Sequence, residues 1–246
     1  MKNFRQYADY YDLLNSTKDY KNETDFILRT YQKFSHLETK NILELGCGTG
    51  KHAAEFIKRK LKVHGVELSE EMIELGFKHP NYITYNADIV DFISTEKVLL
   101  ATSLFHVMSY LTKDSQLNKF FAVTRKNLKR NGIFIFDCWY KPALDYFGTP
   151  PKTKIFENEV IHVERKSNSK QISSNITEVS FDIKIFNKKN RSNKRYKEVH
   201  KMRSFDIDDI NSFAKSANLE LIHSCEFLTE KKLDKTTWGS CFVLKK

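Results

Sequence analysis

The chain has no run approaching the roughly eighteen uninterrupted apolar residues that a membrane span requires. Its opening, MKNFRQYADYYDLL, is polar and tyrosine-rich and lacks the apolar stretch of a secretory signal. Both absences point to a cytoplasmic protein with no membrane partner. Cysteine is sparse: Cys47, Cys138, Cys225 and Cys241 form no CxxC pair, and no Cys/His cluster has metal-ligand spacing. Reduced, mostly buried thiols and no metal are expected. Internal repeats and low-complexity tracts are missing too, apart from one basic turn.

What is present suits a single core with an insertion. The 246 residues are 40% hydrophobic and 13% aromatic, enough to fill one core and to exclude global disorder. The net charge of +10 is unevenly spread: between Lys184 and Arg203 nine basic residues face one acid, Glu198, so this segment holds +8 of it. Such a cluster can steer phosphate-bearing ligands or nucleic acid, or simply keep a hairpin tip solvated.

After a helical N-terminal region ending near Leu37, short apolar runs alternate with amphipathic segments. Asn41–Leu45, Lys62–Glu67, Asn81–Asn86, Val98–Ser103 and Ile133–Cys138 read as strands, the last preceded by a helix over about 115–128 with Asn131-Gly132 as its C-cap. Ser69 reads as the N-cap of another helix. The alternation predicts an α/β fold with a doubly wound parallel sheet. The pattern then breaks into three long strands, Lys154–Lys166, Ile172–Phe186 and Tyr196–Phe205, joined by the polar turns KSNSK and NKKNRSNK. A helix over 206–216 and a strand pair near 219–227 and 237–244 close the chain. The expected organisation is a helical cap (1–37), a core (38–146 and 204–246) and an antiparallel insertion (147–203).

The chemistry is concentrated in ILELGCGTG, Ile42 to Gly50. Gly46, Gly48 and Gly50 follow a buried strand and open a helix, where the lack of a Cβ permits a tight turn and close approach of a ligand. The spacing is GxGxG rather than the dinucleotide GxGxxG. Glu44 stands two residues before the loop, where it would repel a pyrophosphate and attract an ammonium. Glu67, with Leu68 beside it, ends the second strand and is placed to accept from ribose hydroxyls. Asp88, followed by the Ile89 amide, is placed for an adenine amino group; its competing role is a helix N-cap. Cys47 contributes its backbone amide. Ammonium, ribose and adenine without phosphate specify S-adenosyl-L-methionine.

Together ILELGCGTG, VHGVELSEEMI, NADI and the closing strand pair resemble the class I S-adenosylmethionine-dependent methyltransferases from about Lys40 to the end. The resemblance implies a seven-stranded Rossmann-like sheet whose last strand runs antiparallel. YADYYDLLNSTKDYKNET, SLFHVMSYL, FDCWYKP and EVHKMRSF are similar, in that order, to bacterial sugar-pathway methyltransferases, notably those that dimethylate 3-amino groups of nucleotide-linked sugars. Those enzymes have a helical cap, an antiparallel insertion and often a homodimer. This chain departs from them with Tyr110 where they tend to have histidine, and with Asp137-Cys138-Trp139-Tyr140 where they have an acid, proline and two tryptophans.

The resemblance implies that Tyr11 and Tyr20 close over the cofactor and that Leu104 offers its backbone to the ammonium. Tyr110 would lie near the transferred methyl, with His106 as second choice of proton acceptor; otherwise His106 is a satisfied helix-start histidine. Trp139, Tyr140, His200, Arg203 and Trp238 would border the acceptor. With Met202 on the opposite strand face, Arg203 is expected to face the pocket and grip phosphate. No pair of a base and a residue orienting it is evident, which favours an amine or an already anionic oxygen as acceptor. The expected partner is a small soluble molecule such as a nucleotide-linked or phosphorylated sugar. An RNA methyltransferase is the rival suggested by the basic segment, but SLFHVMSY has no Asn/Asp-Pro-Pro-aromatic run. A non-catalytic cofactor-binding dimer partner is the other.

Overall fold

A computed structural model describes residues 13–246. Its main sheet has seven strands in the order β10-β11-β5-β4-β1-β2-β3: β1 (Asn41–Leu45), β2 (Lys62–Glu67), β3 (Tyr82–Asn86), β4 (Val98–Ser103), β5 (Leu128–Trp139), β10 (Glu220–Glu226) and β11 (Gly239–Lys245). β11 pairs antiparallel with both β5 and β10, and the pairs among β1–β5 are parallel. This is the doubly wound sheet with an antiparallel last strand that the sequence pattern predicts.

Alternation along the central strands divides the core into two layers. Ile42, Ile133 and Ile135 face one side and pack with Phe26 and Ile27 of α1 (Tyr20–Phe34) and Phe56 of α2 (Lys51–Lys58). Leu43, Leu45, Phe134 and Phe136 face the other, against Phe120 and Phe121 of α4 (Asp114–Asn127) and Ile210 and Ala214 of α6 (Ile207–Ser216). Because both faces are covered, all five residues of NILEL are buried, Glu44 included. A short α3 (Glu70–Leu75) follows β2, with the Ser69 hydroxyl accepting from the Met72 N–H as its cap. Between β3 and β4 there is a turn and loop rather than a full helix.

Two boundaries differ from expectation. The helix α4 is capped by Leu128, in extended conformation, and not by Asn131-Gly132. Asn131, at φ +61°, instead bends the start of β5, where its N–H reaches the Lys246 carbonyl. Secondly, after α5 (Lys141–Phe147) the insertion contains four strands rather than three: β6 (Lys152–Glu157), β7 (Ile161–Ser173), β8 (Ile176–Asn187) and β9 (Asn193–Arg203), in a separate antiparallel sheet. The Asn158 carboxamide accepts from the Val160 and Ile161 N–H groups and makes a turn inside the span read as one strand. KSNSK, read as a turn, is strand; the reversal lies at Ser174-Asn175. Polar side chains on an exposed strand face look like a turn when only composition is read.

The inner face of this second sheet buries Val163, Ile183 and Ile185 with Leu14. The chain segment before α1 therefore reaches under the insertion before returning to the core. Among the described residues, no helix is long and apolar enough to cross a membrane.

Phe136 is stacked between Phe134 (4.8 Å) and Phe242 (5.6 Å) and is fully buried. Phe136→Ala should therefore cost about 3–5 kcal/mol, read as a lowered urea midpoint without a change of slope; a midpoint within error of the parent would show that this layer does not hold the sheet.

Candidate active site

Ligands of open α/β sheets bind outside the carboxyl ends of the strands where strand order reverses; here that point lies between β1 and β4. A cavity of about 680 Å³ opens there, of a size usual for ligand sites. Its floor includes Gly46, Cys47 and Gly48, one wall Glu67, Leu68 and Asp88, and its far side residues of the insertion.

The three loop glycines all have positive φ, from +54° to +80°. A Cβ on Gly46 would lie 2.5 Å from Val107, and one on Gly50 2.7 Å from the Tyr82 ring. These two are thus demanded by packing as well as by the turn. Cys47 is buried, and its thiol is pushed up by burial and by the nearby Glu44 carboxylate, which makes it unreactive filler.

Glu44 does not line the cavity; it lies beneath the loop, 1% exposed. Its Oε1 is 3.3 Å from Nδ1 of His52, whose Nε2 is 2.7 Å from Glu23 Oε2, and Glu23 pairs in turn with Lys18. Glu44 Oε2 has no hydrogen-bond partner among the described residues. Burial alone would lower the His52 pKa, but the two carboxylates outweigh it and hold it up at about 9. The Tyr20 ring meets His52 edge-on at 5.0 Å. Lys18, Glu23 and His52 escaped the sequence reading. His52, in the first turn of the helix behind a glycine loop and on the side of a buried acid, was the available signal.

Glu67 accepts the Gly48 N–H (3.0 Å) and the Ser69 N–H (2.9 Å). Burial raises its pKa despite those donors. Asp88 accepts from the Val90 N–H at 3.1 Å, which holds a turn rather than capping a helix, and it also lines the cavity beside Ile89. Leu104, Tyr20, Leu68 and Tyr110 line the cavity as well, whereas Tyr11 lies outside the described residues.

On the acceptor side the expectations divide. Trp139 and His200 line the cavity, and His200, buried, packs edge-on against Tyr110 (5.8 Å) and Phe181 (5.3 Å). Arg203 does not line it. The register is the reverse of that expected: Met202 faces the cavity, and Arg203 is buried on the other side, paired with Asp114 and stacked over Phe205 and Phe213. Tyr140 belongs to the core, and Trp238 stands behind Trp139 at 5.9 Å. The cations that do reach the cavity are Lys18, Lys51, Lys154 and Arg165, the last lying over the Phe156 and Phe181 rings. The basic turn is partly neutralised, with Lys184, Lys188 and Arg195 paired to Glu164, Glu157 and Asp182.

His106 lines the cavity too, at φ +59° directly after Phe105 at φ +67°. Its Nδ1 lies 2.8 Å from Oδ2 of Asp137, and its backbone N–H is 3.2 Å from both carboxylate oxygens. An imidazole and a buried carboxylate are therefore held side by side at the cavity wall, a pairing that the sequence did not make evident. Asp137 lies two residues before the carboxyl end of β5, near the level at which Glu67 ends β2, and the strand-end rule could have found it.

Residues 42–132 match the methyltransferase domain family. A putative methyltransferase of Geobacillus sp. (strain WCH70) is 22% identical over 99% of both chains. The dTDP-3-amino-3,4,6-trideoxy-alpha-D-glucopyranose N,N-dimethyltransferase of Streptomyces venezuelae is 30% identical over 55% of this chain, which spans 58% of that relative. Among solved structures, an S-adenosylmethionine-dependent methyltransferase from Clostridium acetobutylicum ATCC 824 superposes with a TM-score of 0.79 at 23% identity, over 98% of each chain. With the sheet order and the acidic strand ends, these likenesses make the chain similar, in its fold and around its glycine loop, to the class I S-adenosylmethionine-dependent methyltransferases. Within that class the chain resembles the sugar methyltransferases.

A raised histidine pKa stabilises the fold fully below the unfolded value of about 6.5, and that contribution is lost as pH rises through the folded value of about 9. Unfolding free energy should thus fall between pH 7 and pH 10 by on the order of 2–3 kcal/mol, and His52→Gln should flatten that slope. Equal slopes in urea titrations of the two proteins would show that His52 carries no buried charge.

Proposed function

We propose that this chain transfers the methyl group of S-adenosylmethionine to a small soluble acceptor, a nucleotide-linked sugar or a phosphorylated relative of one. The observation that carries this reading is the division of the cavity. One half presents loop backbone and the strand-end acids Glu67 and Asp88; the other presents Arg165 and Lys154 beside Phe181 and Trp139. Aromatic faces suit the apolar face of a sugar ring, and the two cations suit a phosphate. The named activity of the Streptomyces venezuelae relative, on an amino sugar linked to dTDP, supports the same choice.

The residues fit the cofactor. The unpartnered Glu44 oxygen under the loop favours a cation above it, at the ammonium position, where the Leu104 backbone borders the cavity. Glu67 would accept from ribose hydroxyls, with Asp88 and the Ile89 amide toward adenine and Tyr20 over the entrance. Bound there, the cofactor supplies a methyl group activated by its sulfonium. The chain's own work is to align the acceptor and exclude water: Trp139 and Tyr110 wall the transfer point, and His200 holds Tyr110 in place. A cytoplasmic homodimer is part of this reading; the half-exposed Ile155, Ile172 and Val199 of the insertion sheet support a contact there.

The RNA alternative loses ground because the basic turn is partly paired with its own acids. A role as a cofactor-binding partner without catalysis is disfavoured by the base and orienting acid at the cavity wall.

Calorimetry should find S-adenosylhomocysteine binding at micromolar concentration and no binding of NAD. Glu67→Gln should weaken it some thirty- to hundredfold, or about 2–3 kcal/mol, and Gly48→Val, at φ +54°, should abolish it. NAD binding in its place would remove the methyltransfer reading. With a dTDP-linked sugar as acceptor, Arg165→Ala should raise KM about tenfold at unchanged cofactor affinity, the loss of one charge-assisted contact. Arg203→Ala should lower Tm instead; the opposite pattern would return the anchor to Arg203.

A further inference from the structure

His106 and Asp137 form a close pair of ionisable side chains at the cavity wall to which the cofactor reading assigns no role; His200 of the same cavity lies 3.2 Å from Glu198 and packs on Tyr110. Asp137 is 2% exposed near the carboxyl end of β5. Burial works to raise its pKa, but the His106 ring and backbone and, more distantly, Lys18 outweigh it, and the carboxyl is held below its ordinary range. It is therefore ionised at neutral pH. The other titratable groups facing it are the buried Cys138 and Cys241 thiols, both pushed up in part by this carboxylate, so they stay neutral. Two successive non-glycine residues, Phe105 and His106, occupy the left-handed region, at a cost of about 1–2 kcal/mol each. The carboxylate holds that turn by accepting the His106 N–H, and the same two oxygens set the ring.

The ring N–H is off the direct line to Oδ2 although the atoms are 2.8 Å apart, as catalytic contacts often are before substrate arrives. With Nδ1 turned to the carboxylate, the nitrogen left for a ligand is Nε2. The Trp139 ring, which also lines the cavity, stands edge-on to the imidazole at 6.5 Å.

Resting on the reading of the cavity as a methyltransfer site for sugar-like acceptors, we propose that Asp137 positions His106 to take the proton of an acceptor hydroxyl, so that the methyl is placed on oxygen. An amine brings its own lone pair and needs no base at the moment of transfer. A hydroxyl must lose its proton as the new bond forms. In the step, the acceptor O–H bond breaks and its proton passes to His106 Nε2. The oxygen pair forms the O–CH3 bond as the S–CH3 bond breaks, and that bonding pair stays on sulfur. Proton release from His106 to solvent restores the site. Tyr110, on the same wall, then acts as a positioning residue, not the proton acceptor.

The first test needs no turnover. In the full chain with 15N-labelled histidine, neutral His106 should carry its proton on Nδ1, and Asp137→Asn should shift it toward Nε2; a proton on Nε2 in the parent protein would overturn the proposal. Since Asp137→Asn can disturb the turn, the second arm uses His106→Asn. It should keep the parent's Tm and its affinity for S-adenosylhomocysteine. Transfer to dTDP-6-deoxyglucose should fall by about 10²–10⁴-fold, with loss of the acidic limb of the pH–rate profile. A rate unchanged in His106→Asn overturns the proposal. Methylation of the 3-amino counterpart alone, with the hydroxyl sugar untouched, overturns it too but leaves the sugar acceptor standing. If neither sugar is methylated while S-adenosylhomocysteine still binds, the sugar acceptor falls, and the tautomer decides the pair.

Discussion

The constraint on which the rest of the molecule depends is the neutralisation of one carboxylate. Glu44 lies in a strand covered on both faces, where an uncompensated charge would cost several kcal/mol. His52 meets it from the first turn of the following helix, and Glu23 meets His52 from the N-terminal helix. Two acids around one imidazole hold it charged, and Lys18 balances the second acid. Among the described residues, the row of alternating charges leaves Glu44 Oε2 without a partner, beneath the glycine loop. Docking of α1, the conformation of the loop and the polarity of the cavity floor follow from it.

The opposite half of the cavity is built by different physics. A separate antiparallel sheet presents Val179, Phe181, His200 and Met202 from two adjacent strands, with Val179 directly opposite His200. Alternation along β9 then sends Arg203 away from the cavity and into an aromatic sandwich. One half of the cavity thus rests on the parallel sheet and the other on a separate antiparallel layer; under the proposed function, cofactor binding falls to the first and acceptor recognition to the second.

The core was legible because its signals are local. NILEL followed by GCGTG carries strand, turn and helix start within ten residues, and Glu67 ends its strand where expected. The Arg203 error has a specific cause: a strand's period of two makes every assignment depend on one choice of phase, and nothing adjacent to Met202 and Arg203 fixes that phase. KSNSK misled because an exposed strand face needs no apolar residues. The His106–Asp137 pair was out of reach of a local reading, since its members lie 31 positions apart and meet only because β4 and β5 are neighbours in the sheet. Asp137 alone was within reach, as a further acid near the carboxyl end of a parallel strand.

Leu14 has its seat among Val163, Ile183 and Ile185 of the insertion, and four residues later Lys18 is tied through Glu23 to His52 under the glycine loop. One short stretch of chain is therefore anchored at both ends, against the insertion sheet and beneath the glycine loop. A ligand that firms either anchor reduces the freedom left to be lost at the other. For two ligands that each firm one of these anchors, reciprocity requires that each raise the other's affinity by the same factor, and this short tether would be the thermodynamic coupler of the two halves.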